Sequence, residues 1–154
     1  MMNVAYINPL LEATVDVLST MAFIQAKPGK PKLKQDKRAN GDITGFILLE
    51  GSNAQGWMAL SFDQPTILNV VSNMLGESFK EIDASVQDCV GEITNMITGG
   101  AKRRYESLGL DIALARPSVF VGREKELEFS QPGASILLPF MTDNGDLAIE
   151  FFFK

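Results

Sequence analysis

The amino-acid sequence predicts an α+β domain in which long helices pack on a mostly antiparallel, mixed sheet. Two observations support this prediction. Three segments carry apolar residues at helical spacing, and helices are inserted between groups of about six or seven strands. The length of 154 residues suits a single domain, 1–154, and no linker-like stretch divides the chain.

The first elements are marked by a helix start and a turn. The pair Asn8–Pro9 predicts the start of a helix that runs through Ala22, because asparagine caps helices and proline fits their first turn. The pair Asn40–Gly41 is typical of a two-residue hairpin. We therefore predict that it joins a strand near Lys32–Ala39 to one near Asp42–Glu50. A further strand, "GWMALSF", is expected to follow.

Two more helices come next. Asp63 and Pro65 predict the start of the second helix, and Gly76 its end. The third and longest helix is predicted to begin near Asp83 or Ser85 and to run to about Leu108, before Gly109. Its apolar stripe is predicted to be Val86, Val90, Ile93, Ile97, Ala101 and Leu108, flanked by Cys89, Met96 and Tyr105.

The last part of the chain is predicted to be strand-rich. The candidate strands are "DIALARPSVFVG", "ASILLPFMT" and "DLAIEFFFK", with a charged stretch "REKELEF" between the first two. Asn144–Gly145 predicts a turn between the last two. The third helix thus lies between two groups of strands, as expected for an α+β domain.

The composition excludes several classes of active site. The chain has no histidine and one cysteine, which removes catalytic triads, imidazole metal sites, zinc fingers and dithiol redox centres. It contains no phosphate-binding P-loop motif. We therefore expect no metal site and no cofactor of its own. Catalysis would have to use carboxylates, amides, hydroxyls, lysine or arginine, or groups supplied by a partner.

Cysteine content, apolar runs and charge suggest a location and limit the partners. A single cysteine and the lack of a signal-peptide pattern favour the cytoplasm, and no apolar run is long enough for membrane insertion. The net charge is −5, yet the segment from Lys27 to Arg38 is basic. It could touch nucleic acid. The favoured interpretation is a solvated loop and an edge strand protected by lysines, with no nucleic-acid partner.

The polar face of the third helix carries the candidate functional residues, which are Asp88, Glu92, Asn95, Gly99 and Lys102. Glu92 and Asn95 are three residues apart, so their side chains lie side by side. An asparagine amide can hold a water molecule in line for attack, and a carboxylate can pair with a cation on a partner. In the alternative interpretation both side chains are merely solvated.

Three glycines weaken this helix. Gly91, Gly99 and Gly100 each cost about 0.8–1 kcal/mol relative to alanine. For Gly91 and Gly100 we favour close packing inside the protein as the reason. Gly99 lies one turn beyond Asn95 on the same face, where it could give a partner room to approach.

The stretch "GEITNMITGGAK" is similar to the signature of the CheX-type chemotaxis phosphatases, which belong to a wider group that includes CheC and the flagellar switch phosphatases. That signature is ExxN on a long helix, followed by a small residue and Ala-Lys. The stretch "ARPSVFVG" resembles the proline-containing strand of the same family. Relatives of the CheC type have a second ExxN on the first helix, but here Glu12 is followed at i+3 by Val15. The chain therefore resembles the single-site CheX type.

The resemblance implies a partner and a chemistry. The substrate would be a phosphorylated CheY-like response-regulator receiver, with Mg²⁺ on the receiver. Glu92 would engage the receiver's lysine, and Asn95 would orient the attacking water. Asp88, Gly99 and Lys102 would contact the partner. The family also implies a homodimer. A second possibility is a non-catalytic CheX-like docking module that binds a receiver or another signalling protein through the same helix face.

Overall fold

The computed structural model describes residues 4–36, 38–51, 55–123 and 135–153. These residues form three helices and an eight-stranded sheet, which confirms the α+β prediction. The helices are α1 (Val4–Ala22), α2 (Gln64–Leu75) and α3 (Ala84–Ser107). The strands are β1 (Lys27–Pro28), β2 (Lys32–Lys34), β3 (Ile43–Gly51), β4 (Gln55–Phe62), β5 (Ile112–Leu114), β6 (Ser118–Val121), β7 (Ser135–Thr142) and β8 (Gly145–Phe153).

The sheet has the order β1-β7-β8-β4-β3-β5, with β2 also paired to β7 and β6 also paired to β3. Every pairing between described strands is antiparallel. The main core lies between the three helices and one face of this sheet. The predicted stripe of α3 is buried there, except for Leu108, which is 57% exposed because it caps the helix end.

Helix α1 begins earlier than predicted. It starts at Val4, so Asn8 is not its cap and Pro9 lies inside the helix. The turn before Pro9 is held by tertiary contacts: the Tyr6 ring stacks on Phe153 with 4.5 Å between ring centroids, and the Tyr105 hydroxyl donates to the Tyr6 carbonyl at 2.6 Å. Proline lacks an N–H, but it disrupts a helix least near the start. Packing therefore extends α1 beyond its strongest local start signal.

The predicted hairpin at Asn40–Gly41 is wrong. Strand β2 is shorter than expected and pairs with β7 rather than β3. The Asn40 side-chain amide donates to Glu150 at 2.8 Å. A Cβ on Gly41 would lie 2.6 Å from the Phe62 carbonyl oxygen. This glycine thus permits a close approach to β4 instead of forming a tight turn.

Buried Glu150 explains the pairing of β2. Its carboxylate accepts from Lys34 Nζ at 2.8 Å, from Asn40 and from the Ser135 hydroxyl. A buried carboxylate needs such partners, because desolvation without them is costly. These contacts hold the segment that contains β2 against β7 and β8.

The remaining local signals are confirmed. Asp63 caps α2 and accepts from the Thr66 backbone N–H, and Gly76 ends this helix in the left-handed conformation. Asp83 rather than Ser85 caps α3, and Gly109 follows its end with a φ of 84°. The register of β7 and β8 places the predicted turn between Thr142 and Gly145.

Two further observations concern the charged stretch after β6 and the length of the helices. Most of the charged stretch "REKELEF" lies outside the described residues. In the described parts of the chain, no helix combines the length and apolar character required to cross a bilayer.

Candidate functional site

Two close contacts fix the orientation of α3. On the sheet side, a Cβ on Gly45 of β3 would lie 2.1 Å from Thr94 Oγ1, so only glycine lets the helix approach this closely. On the α1 side, a Cβ on Gly100 would lie 3.2 Å from the Cβ of Ala13. The opposite side of α3 is therefore turned towards solvent.

An open groove runs along this solvent side. One wall is formed by α3, through Gln87, Asp88, Gly91, Glu92 and Asn95. The other wall is formed by Arg116 and Pro117, in the loop between β5 and β6, and by Val119 of β6. We call this surface the α3 groove. The side chains of Asp88, Glu92 and Asn95 are exposed there, as the sequence predicts for the polar face of the helix.

The Glu92 carboxylate and the Asn95 side-chain amide are free to bind a partner. Among the described residues, neither group has a hydrogen bond or an ion pair. The Asn95 amide offers two donors and an acceptor, and the Glu92 carboxylate offers acceptors only. The arrangement can therefore position a water molecule and a cation side by side.

The other predicted contact residues lie outside the groove. Gly99 is partly exposed, and a Cβ there would meet nothing within 4 Å. The Lys102 ammonium donates to the Ile112 carbonyl at 2.5 Å and pairs with Glu106 at 3.2 Å. These contacts tie Lys102 to β5 and to its own helix. Roles for Gly99 and Lys102 in partner binding stay predictions.

The glycines of α3 differ in their surroundings. Gly100 contacts α1 closely, as predicted. Gly91 does not require the absence of a side chain, because a Cβ there would lie 3.6 Å from Val119, an ordinary contact distance. The packing interpretation of Gly91 is therefore wrong, and this residue belongs to the α3 wall of the groove.

Sequence reasoning missed the second wall. The sequence predicts "DIALARPSVFVG" as one continuous β-rich stretch, whereas β5 and β6 are separated by residues 115–117, which include Arg116 and Pro117. Both strands pair with β3, and this pairing brings their loop next to α3. The only local signal is the proline, which interrupts a strand pattern.

The single cysteine, Cys89, lies on the buried side of α3. Its Sγ is 4.0 Å from Met74 Sδ, and its side chain is almost fully buried. Burial raises the pKa of the Cys89 thiol, and the negative charge of Glu92 raises it further. A protonated thiol is a poor nucleophile, which agrees with a structural role.

The described residues contain no group of three or more Cys, Asp or Glu side chains that could hold a metal ion. The groove offers a carboxylate and an amide in fixed positions on a rigid helix. Such groups can position a reaction whose electrophile and metal belong to another molecule.

The chain is similar to a known protein family and to several solved structures. The family model described as "Chemotaxis phosphatase CheX" matches residues 43–141. A comparison with curated proteins found no match. Among solved structures, a CheC-like superfamily protein from Shewanella sp. PV-4 is 40% identical, with 99% of each chain covered and a TM-score of 0.92.

Two other solved structures are also similar. The chemotaxis protein CheX from Vibrio vulnificus is 40% identical, with 97% of this chain and 99% of that chain covered and a TM-score of 0.90. In the CheX–CheY–BeF3–Mg²⁺ complex from Borrelia burgdorferi, the similar chain is 24% identical, with 97% of each chain covered and a TM-score of 0.80. At this lower identity the likeness shows the fold alone.

Proposed function

Because this chain belongs to the chemotaxis phosphatase CheX family, we propose that it hydrolyses the aspartyl-phosphate of a CheY-like response-regulator receiver. The observation that carries the proposal is the exposed Glu92–Asn95 pair, whose side chains have no partner among the described residues. A structural relative from Borrelia burgdorferi has been solved as a complex with CheY, BeF3 and Mg²⁺, which supports a CheY-like partner for this fold.

In the proposed mechanism, α3 docks against the phosphorylated site of the receiver. Asn95 accepts a hydrogen bond from a water molecule and holds it in line with the phosphorus atom. The water oxygen forms the new P–O bond, and the bond to the receiver aspartate breaks. Inorganic phosphate and a free carboxylate result. Mg²⁺ belongs to the receiver and neutralises charge on the phosphoryl oxygens.

Glu92 positions the two proteins in this mechanism. Its carboxylate accepts a charge-assisted hydrogen bond from the receiver's lysine. Because contacts with β3 and α1 fix the backbone of α3, little backbone motion has to be lost when the complex forms. The catalytic contribution is positioning, which agrees with the lack of histidine in the chain.

The test follows the loss of phosphate from phosphorylated receivers. Wild type should accelerate the decay, and Asn95→Ala should lower that acceleration by about 10²-fold or more, because the water is no longer held in line. Glu92→Ala should weaken the acceleration as well. Both side chains are exposed, so unchanged thermal unfolding should show that the variants fold.

The alternative is a non-catalytic docking module that uses the same helix face. If wild type and Asn95→Ala give the same decay rate with every cognate receiver, the enzymatic proposal is wrong. Receiver binding that persists without faster decay would then favour the docking module. A homodimeric state and a cytoplasmic location remain part of the proposal.

A further inference from the structure

We propose that Arg116 is a substrate-recognition residue, whose guanidinium binds a carboxylate on the receiver beside the phosphorylated aspartate. This inference rests on the proposed function. It adds a contact from the second wall of the α3 groove, opposite the Glu92–Asn95 pair, and it assigns that contact to an acidic side chain of the partner.

The backbone around Arg116 is fixed. The residue lies between β5 and β6, and both strands pair with β3. The Ala115 backbone N–H donates to the Leu48 carbonyl at 3.1 Å, and Pro117 restricts the chain on the other side. An exposed side chain on such a short, doubly anchored loop is presented to a partner in a defined place.

Within the described ranges of the chain, the guanidinium of Arg116 is not engaged. In the described part of the chain, it has neither an ion pair nor a hydrogen bond, although Asp88 and Glu92 line the same groove. Two other arginines are engaged within the chain: Arg104 pairs with Asp16 and Glu12, and Arg123 pairs with Asp42. The five donors of Arg116 are therefore available to a carboxylate outside the chain.

The charge of the groove explains why a cation is needed there. Asp88 and Glu92 give this surface two negative charges, and the whole chain has a net charge of −5. A phosphorylated receiver site also presents negative groups, including the carboxylates that hold Mg²⁺. Like charges across an interface oppose association. Arg116 is the one cation among the described residues that line the groove, so it offsets this repulsion and orients the approach.

This role predicts an effect on association rather than on the chemical step. Arg116→Ala should raise the KM for phosphorylated receiver by about 3- to 10-fold and leave kcat within about 2-fold, because an exposed charge at an interface mainly changes the association rate. Arg116→Glu should raise KM further, and Arg116→Lys should restore most of the loss. The difference between wild type and Arg116→Ala should shrink in about 0.5 M salt, where the charges are screened.

Lys32 provides the matched control. It is an exposed cation on β2, at the other edge of the sheet from β5 and β6. Lys32→Ala and Lys32→Glu change the net charge of the chain as the Arg116 variants do. They should leave KM close to the wild-type value, which would show that the position of the charge matters.

A binding experiment separates this inference from the proposed function. Binding of BeF3-activated receiver is measured for Asn95→Ala with and without Arg116→Ala, so that no hydrolysis is required. Weaker binding of the double variant supports the inference even if wild type does not accelerate phosphate loss. A lack of acceleration would contradict only the proposed function. Equal binding and equal KM would overturn the inference. A fall in kcat at unchanged KM would also overturn it, because the guanidinium would then act on the phosphoryl group itself.

Discussion

At the scale of single residues, polar groups on one side of α3 are exposed to water, and those on the other side are buried. Glu92 and Asn95 stay in water and keep their hydrogen-bonding capacity for a partner. Cys89, three residues before Glu92, is buried, and the pKa of its thiol is raised. The helix therefore has an exposed polar face and a buried face on which ionisation is disfavoured.

Cys89 should be unreactive in the folded protein. Alkylation by iodoacetamide at pH 8 should be slow until the chain is unfolded in urea, because the thiolate is the nucleophile and burial keeps the thiol protonated. The raised pKa also has a consequence for stability. Above about pH 8.5 the unfolded chain loses the Cys89 proton while the folded protein keeps it. The free energy of unfolding should therefore fall as the pH rises through this range.

The matched control for the pH effect is Cys89→Ala. Urea unfolding of both proteins from pH 7 to pH 10 should show a steeper loss of stability for wild type. The pKa of Tyr105 is also raised by burial, but Tyr105 is present in both proteins, so its contribution cancels in the comparison. Rapid alkylation of the folded protein at neutral pH would contradict the prediction.

At the scale of secondary-structure elements, the neighbouring glycines Gly99 and Gly100 of α3 have different surroundings. Gly100 faces α1, where an added Cβ would meet the Cβ of Ala13 at 3.2 Å. Gly99 faces open space. Glycine lowers helix stability by the same amount at both positions. Substitution of each glycine with alanine therefore differs only in how the added Cβ packs.

Gly99→Ala should stabilise the protein by about 0.8–1 kcal/mol, because it improves the helix and contacts nothing. Gly100→Ala should destabilise it by about 1 kcal/mol, because the backbone of α1 must move and overpacking outweighs the helix gain. Urea unfolding measures both values. Stabilisation by both substitutions to the same extent would show that α1 and α3 are not tightly packed here.

The same pair tests the predicted role of Gly99 in partner approach. If the receiver needs the space beside Gly99, the Gly99→Ala variant should bind the receiver more weakly than wild type, although the variant is the more stable protein. Unchanged binding and unchanged phosphate loss would remove Gly99 from the contact surface.

At the scale of the whole molecule, the two edges of the sheet differ. The edge formed by β1 and β2 is short and is interrupted by Pro31, and its lysines oppose pairing with another strand. The edge formed by β5 and β6 carries apolar residues, and Val121 is 44% exposed. We propose that the homodimer implied by the family uses this second edge.

Two lysine substitutions test the edge. Val121→Lys should shift the protein from dimer to monomer in light scattering, because a charge would be buried in the strand pairing. Met141→Lys is the control, since Met141 is 56% exposed on β7, near the opposite edge. It should leave the dimer intact. A monomeric wild type at micromolar concentration, or a dimer that survives Val121→Lys, would contradict the proposed geometry.

The sequence by itself determined the features that depend on neighbouring residues. The caps at Asp63 and Asp83, the helix ends at Gly76 and Gly109, and the turn before Gly145 are all found where local patterns indicate them. Each involves groups a few residues apart, so their geometry is set by the backbone and by capping chemistry. The placement of Glu92 and Asn95 on one exposed face follows from helical spacing in the same way.

Only the tertiary structure decided which distant segments meet. Strand β2 pairs with β7 because Lys34 and Asn40 reach the buried carboxylate of Glu150, more than a hundred positions away in the sequence. Arg116 stands beside α3 because β5 and β6 both pair with β3. Such contacts depend on burial and on the topology of the sheet, which no local pattern encodes. For this reason the helix wall of the groove could be predicted from the sequence, and the wall that carries Arg116 could not.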